Sequence, residues 1–195
     1  MRKPATILAA LGVGVTAALL GATPAFAVPI TYTEQAVASG SLDGVAFTDA
    51  AVVLTMTNDT GNVTGSAPIF TNSGTSTVSV AGGAPETFTN TTLVFSNQNT
   101  PAVGFATESV DILDDVSASF ATYDLTTAIG PIVGTPIFDA GGSFDTNSGA
   151  FILNSVPGNV TFTATLAAVP EPSALALLAV GLAGLFGVAR RRQNS

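Results

Sequence analysis

In 195 residues the chain has thirteen carboxylates, five basic groups, no His and no Cys, for a net charge of −8, so disulfide frameworks, thiolate metal sites and histidine or cysteine catalysis are excluded. The basic groups are Arg2, Lys3, Arg190, Arg191 and Arg192, and Glu171 is the only carboxylate outside residues 28–168, which leaves that stretch with twelve carboxylates and no cation. A surface of one sign excludes nucleic acid and anionic membrane faces as partners of this stretch.

Met1-Arg2-Lys3 is a short basic n-region, Ile7 to Gly21 an apolar h-region, and Ala25-Phe26-Ala27 a small-x-small signal-peptidase site. Residues 1–27 therefore read as a signal peptide cut after Ala27, leaving Val28 at the new N-terminus. An uncleaved anchor is the competing reading, disfavoured by Gly12, Gly14 and Thr16 within the run. Residues 28–168 are then one exported domain, long enough for a real core.

Within that domain the residue types favour strands over helices, because Thr, Val, Phe and Ser abound and long amphipathic periods are missing. Ile30 to Ala38 is a first strand, and Val52 to Thr57 a second with Val52, Leu54 and Met56 on one face. A loop rich in Asn, Asp, Gly and Ser follows. Thr77 to Val80 and Thr87 to Phe95 are strands joined through Gly82-Gly83. Val103 to Thr107, Phe120 to Thr127 and Phe151 to Leu153 are further candidates.

In Val160 to Leu166 the alternation is strict, with Val160, Phe162, Ala164 and Leu166 on one face and Thr161, Thr163 and Thr165 on the other. Ser109 to Val116 reads as a strand end with an acidic loop. Thr60-Gly61-Asn62, Gly130-Pro131, Gly141-Gly142 and Asp145 to Gly149 are turns by residue type. Short, evenly spaced strands predict an all-β fold, an antiparallel β-sandwich of jelly-roll or immunoglobulin-like type, flanked by an N-terminal signal helix and a C-terminal transmembrane helix.

Residues 169–195 close the chain with Val169-Pro170-Glu171-Pro172-Ser173, an uncharged apolar run from Ala174 to Ala189, and Arg190-Arg191-Arg192. The prolines hold the residues before them extended, and Pro172 suits the first turn of a helix. Glu171 stands where a helix N-terminus favours negative charge. Sixteen residues span ~24 Å as a helix, a little under the ~30 Å of a hydrocarbon core. The three arginines act as a stop-transfer cluster that keeps their end cytoplasmic and the Pro-Glu-Pro end outside.

The extended motif, the short Ala/Leu/Gly-rich span and the Arg-rich end, in that order, resemble the PEP-CTERM sorting domain of Gram-negative bacteria. That resemblance implies recognition by exosortase, removal of the span near Pro170-Glu171-Pro172, and delivery of the domain to the cell surface or an exopolysaccharide matrix. Ser41 to Gly44, Phe47 to Ala50, Tyr123 to Thr127, Ile129 to Pro131 and Phe144 to Gly149 are also similar to phrases in exported all-β PEP-CTERM proteins, a likeness that brings no activity with it.

Chemistry in the domain is confined to carboxylates and hydroxyls, since no His, Cys, Lys or Arg is there. The expectation is a non-enzymatic protein without a cofactor, whose partners are exosortase, signal peptidase and the inner membrane. One alternative is a calcium-dependent carbohydrate-binding module of the matrix, calcium being the cation that an extracellular oxygen site takes. A second is a glycoside hydrolase using two carboxylates among Glu34, Glu86 and Glu108, disfavoured by the absence of Trp and the presence of only Tyr32 and Tyr123. Asp145 to Gly149 places oxygen ligands at alternate positions but lacks the later bidentate Glu of a calcium loop, because Val156 stands there.

Overall fold

The computed structural model describes residues 27–168, and their regular structure is β-strand apart from single turns of 3-10 helix at Thr60–Asn62 and Ala118–Phe120. The strands are β1 (Pro29–Leu42), β2 (Val45–Asp59), β3 (Val63–Ser66), β4 (Ile69–Gly74), β5 (Ser76–Val80), β6 (Glu86–Thr87) and β7 (Thr92–Asn97). They continue with β8 (Ala102–Ala106), β9 (Asp111–Val116), β10 (Ile129–Ile137), β11 (Ser143–Asp145), β12 (Ala150–Ser155) and β13 (Val160–Leu166). The two flanking helices expected from the sequence lie outside the described residues. Among the described residues no helix is long and apolar enough to cross a membrane.

The sheet is organised by its longest hairpin, in which β1 and β2 pair from Pro29 opposite Asp59 to Leu42 opposite Val45. Its turn is Asp43-Gly44, with φ of 52° and 73°. Both central residues of a tight hairpin turn need positive φ, which Gly and Asp reach at least cost. Along β1 the buried residues Ile30, Tyr32, Glu34, Ala36 and Ala38 alternate with more exposed ones, the period of a strand with one face inward. β13 pairs with the other edge of β1, its Val160, Phe162 and Ala164 inward, while Leu166 runs off the core at 41% exposure.

The strands follow one another as β3-β4-β7-β8-β9-β10-β13-β1-β2-β5-β6, every pairing antiparallel, and the β11–β12 hairpin attaches to the far end of β1. The all-β, antiparallel expectation holds, but the two separate stacked sheets of a sandwich give way to one continuous curled sheet, a half-barrel. β10 is the reason. It pairs with β9 through Thr135–Ile137 and with β13 through residues 129–134, so the sheet turns the corner without a break. Its concave side holds a single apolar cluster that includes Ile30, Leu54, Val78, Phe105, Leu113 and Phe162.

Other sequence expectations change in instructive ways. The loop expected between the second strand and Thr77 contains β3 and β4, and Gly130-Pro131 lies inside β10. Thr87 to Phe95 divides into β6, an isolated bridge between Phe88 and Thr146, and β7. Ser109 to Val116 is a true strand over its last six residues and not an acidic loop. Phe120 to Thr127 is no strand, although Phe120, Tyr123 and Leu125 are all buried. Side chains from elsewhere replace a ladder for its carbonyls, with Ser96 Oγ donating to Tyr123 O at 2.8 Å and Tyr32 Oη to Leu125 O at 2.7 Å.

Candidate functional site

The described domain contains three carboxyl groups withdrawn from water, Glu34 at 0%, Asp114 at 3% and Asp115 at 0% exposure. Glu34 follows Ile30 and Tyr32 on the inward face of β1, and its ladder neighbours are Leu54 on β2 and Phe162 on β13. It therefore projects from a strand whose flanks are apolar. Asp114 and Asp115 are adjacent on β9, so they point to opposite faces, yet both are covered because β9 lies where the sheet curls. Gly104 on β8 leaves the space that Asp114 fills, and Gly134 on β10 leaves that for Asp115; a Cβ at either glycine would collide with the carboxyl oxygen.

Both oxygens of Glu34 and of Asp115, and Oδ1 of Asp114, are buried without a hydrogen-bond partner. Burial opposes the charged form, and no cation in the domain favours it. Glu34 is raised well above the ordinary carboxylate range, first by desolvation and then by Asp114 and Asp115. Desolvation, with Asp111 adding to it, pushes Asp114 up to about 9. Asp115 is pushed up to about 7, again by desolvation, with the Phe162 backbone acting the other way.

A second feature is a cleft of about 440 Å³ whose lining includes Phe88, Asn90, Thr107, Glu108, Asp139 and Asp145. Its walls present carboxylates, hydroxyls and an amide, while Phe88 and Phe144 supply apolar surface at 4% and 6% exposure. Such a site can accept hydrogen bonds from a polyol or an ammonium group.

Of the three Glu candidates, Glu34 is in the core, Glu86 meets Ser148 Oγ, and Glu108 lines the cleft, so each has a different environment. Asp145 to Gly149 forms the β11–β12 turn, closed by Thr146 N–H to Gly149 O at 2.8 Å and Thr146 Oγ1 to the same carbonyl at 2.6 Å. Among the described residues no three Asp or Glu side chains come close enough together to hold a metal ion. The buried carboxyls of β9 escaped sequence reasoning because Asp-Asp looks like loop; the signal was Gly104 and Gly134 in otherwise apolar strands.

Of the targeting residues, Ala25, Val169, Pro170, Glu171, Pro172, Ser173, Arg190, Arg191 and Arg192 lie outside the described residues, and Ala27 is exposed at the start of the domain. β1 and β13 bring the two exits together, since Ile30 pairs with Leu166 and Ala167 N–H donates to Pro29 O at 2.8 Å. Anything that follows Ala168 thus leaves the domain beside whatever precedes Val28.

No curated protein and no solved structure matches the chain. Residues 168–192 match the family described as the PEP-CTERM protein-sorting motif. That motif is a sorting signal recognised by exosortase and implies export with membrane-anchored processing in Gram-negative bacteria. The chain is a PEP-CTERM domain-containing protein, its motif beginning two residues after the last strand of the described domain.

Proposed function

We propose that the protein is a non-enzymatic surface or extracellular-matrix protein that is anchored transiently in the inner membrane by residues 174–189 and released when exosortase cuts near Pro170-Glu171-Pro172. The observation that carries this reading is the position of the motif, directly after β13 and with only Ala167 separating Leu166 from residue 168. Signal peptidase acts at Ala25-Phe26-Ala27, at the same end of the domain, so both processing enzymes work on one membrane-facing edge. The arginine triplet holds the tail in orientation until the cut.

Lack of a histidine, thiol or amine in residues 28–168 supports a role without catalysis. The anionic exterior supports one in which the domain stays dispersed among hydrated polymers outside the cell. Mass spectrometry of the mature protein from cells with and without exosortase tests the reading. A C-terminus inside residues 167–173 only when exosortase is present is expected, and an intact Arg190-Arg191-Arg192 end in both strains refutes it.

The cleft favours one second reading, binding of an exopolysaccharide strand through Glu108, Asp139 and Asp145 as acceptors for sugar hydroxyls. Calorimetry with the matrix polymer, with and without calcium, distinguishes it. No heat in either titration rejects the binding role and leaves the sorting role standing.

A further inference from the structure

The three interior carboxyl groups have no part in sorting, and native proteins seldom leave such groups unpaired. β1 and β9 are not sheet neighbours, yet they approach each other across the concave side of the curl, and Glu34 on the first feels Asp114 and Asp115 on the second. Five of the six carboxyl oxygens involved are buried without a partner. The side chains around them carry no charge to balance them: Leu54 on β2, Phe162 on β13, Gly104 and Val103 on β8, and Pro136 and Ile137 on β10. Only the Phe105 and Phe162 backbones act toward the charged forms of Glu34 and Asp115, and desolvation outweighs them. Asp111 on the same strand adds its charge and a side-chain hydrogen bond, both of which favour the neutral form of Asp114. The remaining interior titratable groups are the phenols of Tyr32 and Tyr123, which donate to the carbonyls of Leu125 and Thr127, and residues 28–168 contain no Lys, Arg or His.

We propose that Glu34, Asp114 and Asp115 form a proton-dependent clasp across the curled sheet, which holds β9 against β1 and β13 while the three are neutral and loosens that seam as they ionise. Neutral carboxyl groups can be covered by Leu54, Phe162 and the strand backbones at modest cost. Three carboxylates buried on these two strands, with no cation to balance them, cannot. Opening β9 and β10 to water lets each charge be solvated.

The direction of the pH dependence follows from the proton count. In an unfolded chain these groups lose their protons near ~4, whereas in the folded domain Asp115 holds its proton up to about 7 and Asp114 up to about 9. The folded state binds more protons over that interval, so stability is greatest in mild acid and declines as pH rises through it.

Equilibrium denaturation of the full chain in detergent, from about pH 6 to about pH 9 at constant ionic strength, tests the clasp. The unfolding constant is expected to rise about tenfold per pH unit for each group that is protonated folded and ionised unfolded, at raised salt as well as low. Combining Glu34→Gln, Asp114→Asn and Asp115→Asn should flatten the profile. A profile that is flat or climbs with pH, a slope that vanishes with salt, or an unchanged slope in the triple variant overturns the proposal. If that variant does not fold, hydrogen exchange of the unaltered chain decides: protection at β9 and β10 amides must fall with pH while that at β2 and β5 holds, and uniform behaviour refutes the clasp.

Discussion

The backbone N–H of Ala167 donates to the carbonyl of Pro29 at 2.8 Å, one step beyond the ladder pair of Ile30 with Leu166. The last strand before the sorting motif is therefore hydrogen-bonded to the first strand of the described domain. β13 is also no edge strand, since β10 covers its other side. Proteolysis that trims the tail should stop at or after Ala167, and limited digestion should leave Val160–Leu166 intact in the mature domain. Truncation before Val160 leaves the edges of β1 and β10 unpaired, removes Phe162 from the core and should abolish the cooperative unfolding transition; a folded product lacking β13 would contradict this placement.

The interior around β13 predicts a sharp contrast between two apolar positions on one face. Phe162 is fully buried, stacks with Tyr32 at 6.3 Å, and meets Phe120 and Tyr123 edge-on at 5.8 Å and 6.2 Å between ring centroids. Phe162→Ala leaves a cavity among three rings and should cost about 3–5 kcal/mol. Leu166→Ala, at the end of the same strand and 41% exposed, should cost well under that, by urea denaturation of both variants.

Much of this fold was legible because strands with one buried face write their period into the chain. Val160 to Leu166 is read at its observed limits, and Val52, Leu54 and Met56 are the inward set of β2. What escaped was the part where burial is two-sided or where the partner is remote. β9 is buried at Ile112, Leu113, Asp114 and Asp115 in succession, so no alternation marks it. Phe120 to Leu125 alternates well enough to look like a strand, yet its carbonyls are taken by Ser96, Gln98 and Tyr32 from other elements. β10 contains Pro131 and Pro136, which argue locally for a turn; Pro131 falls where its register with β13 shifts, between Ile129 and Ile132. The sorting tail, by contrast, was readable outright because its hydrophobic run and its charges are contiguous in sequence.

A polar chain crosses the interior and should resist the smallest substitution available. Tyr32 Oη donates to Leu125 O at 2.7 Å and accepts from Asn72 Nδ2 at 3.0 Å, while Asn72 Oδ1 accepts from Asn58 Nδ2 at 2.7 Å. Burial pushes the phenol up to about 12, so it remains a donor throughout the neutral range. Tyr32→Phe keeps the ring but strands the Leu125 carbonyl, and should cost about 1–3 kcal/mol. Thermal unfolding of this variant beside the parent gives the measure; an unchanged midpoint would show that water replaces the hydroxyl.

Space beside the buried aspartates gives the last contrast, between two glycines with ordinary negative-side backbones. A Cβ at Gly104 would meet the carboxyl oxygen of Asp114 and lie 2.6 Å from its Cα, inside a ladder that β8 and β9 cannot widen without losing their pairing. Gly104→Ala should therefore destabilise the domain by about 1–3 kcal/mol through overpacking. Gly158, in the connection between β12 and β13, has nothing within 4 Å of the corresponding position. Gly158→Ala should be neutral or stabilising by about 0.4–1 kcal/mol, because it only removes freedom from the unfolded chain. Denaturant midpoints that fall equally in both variants would mean that the first loss comes from backbone conformation and not from the packed carboxyl group of Asp114.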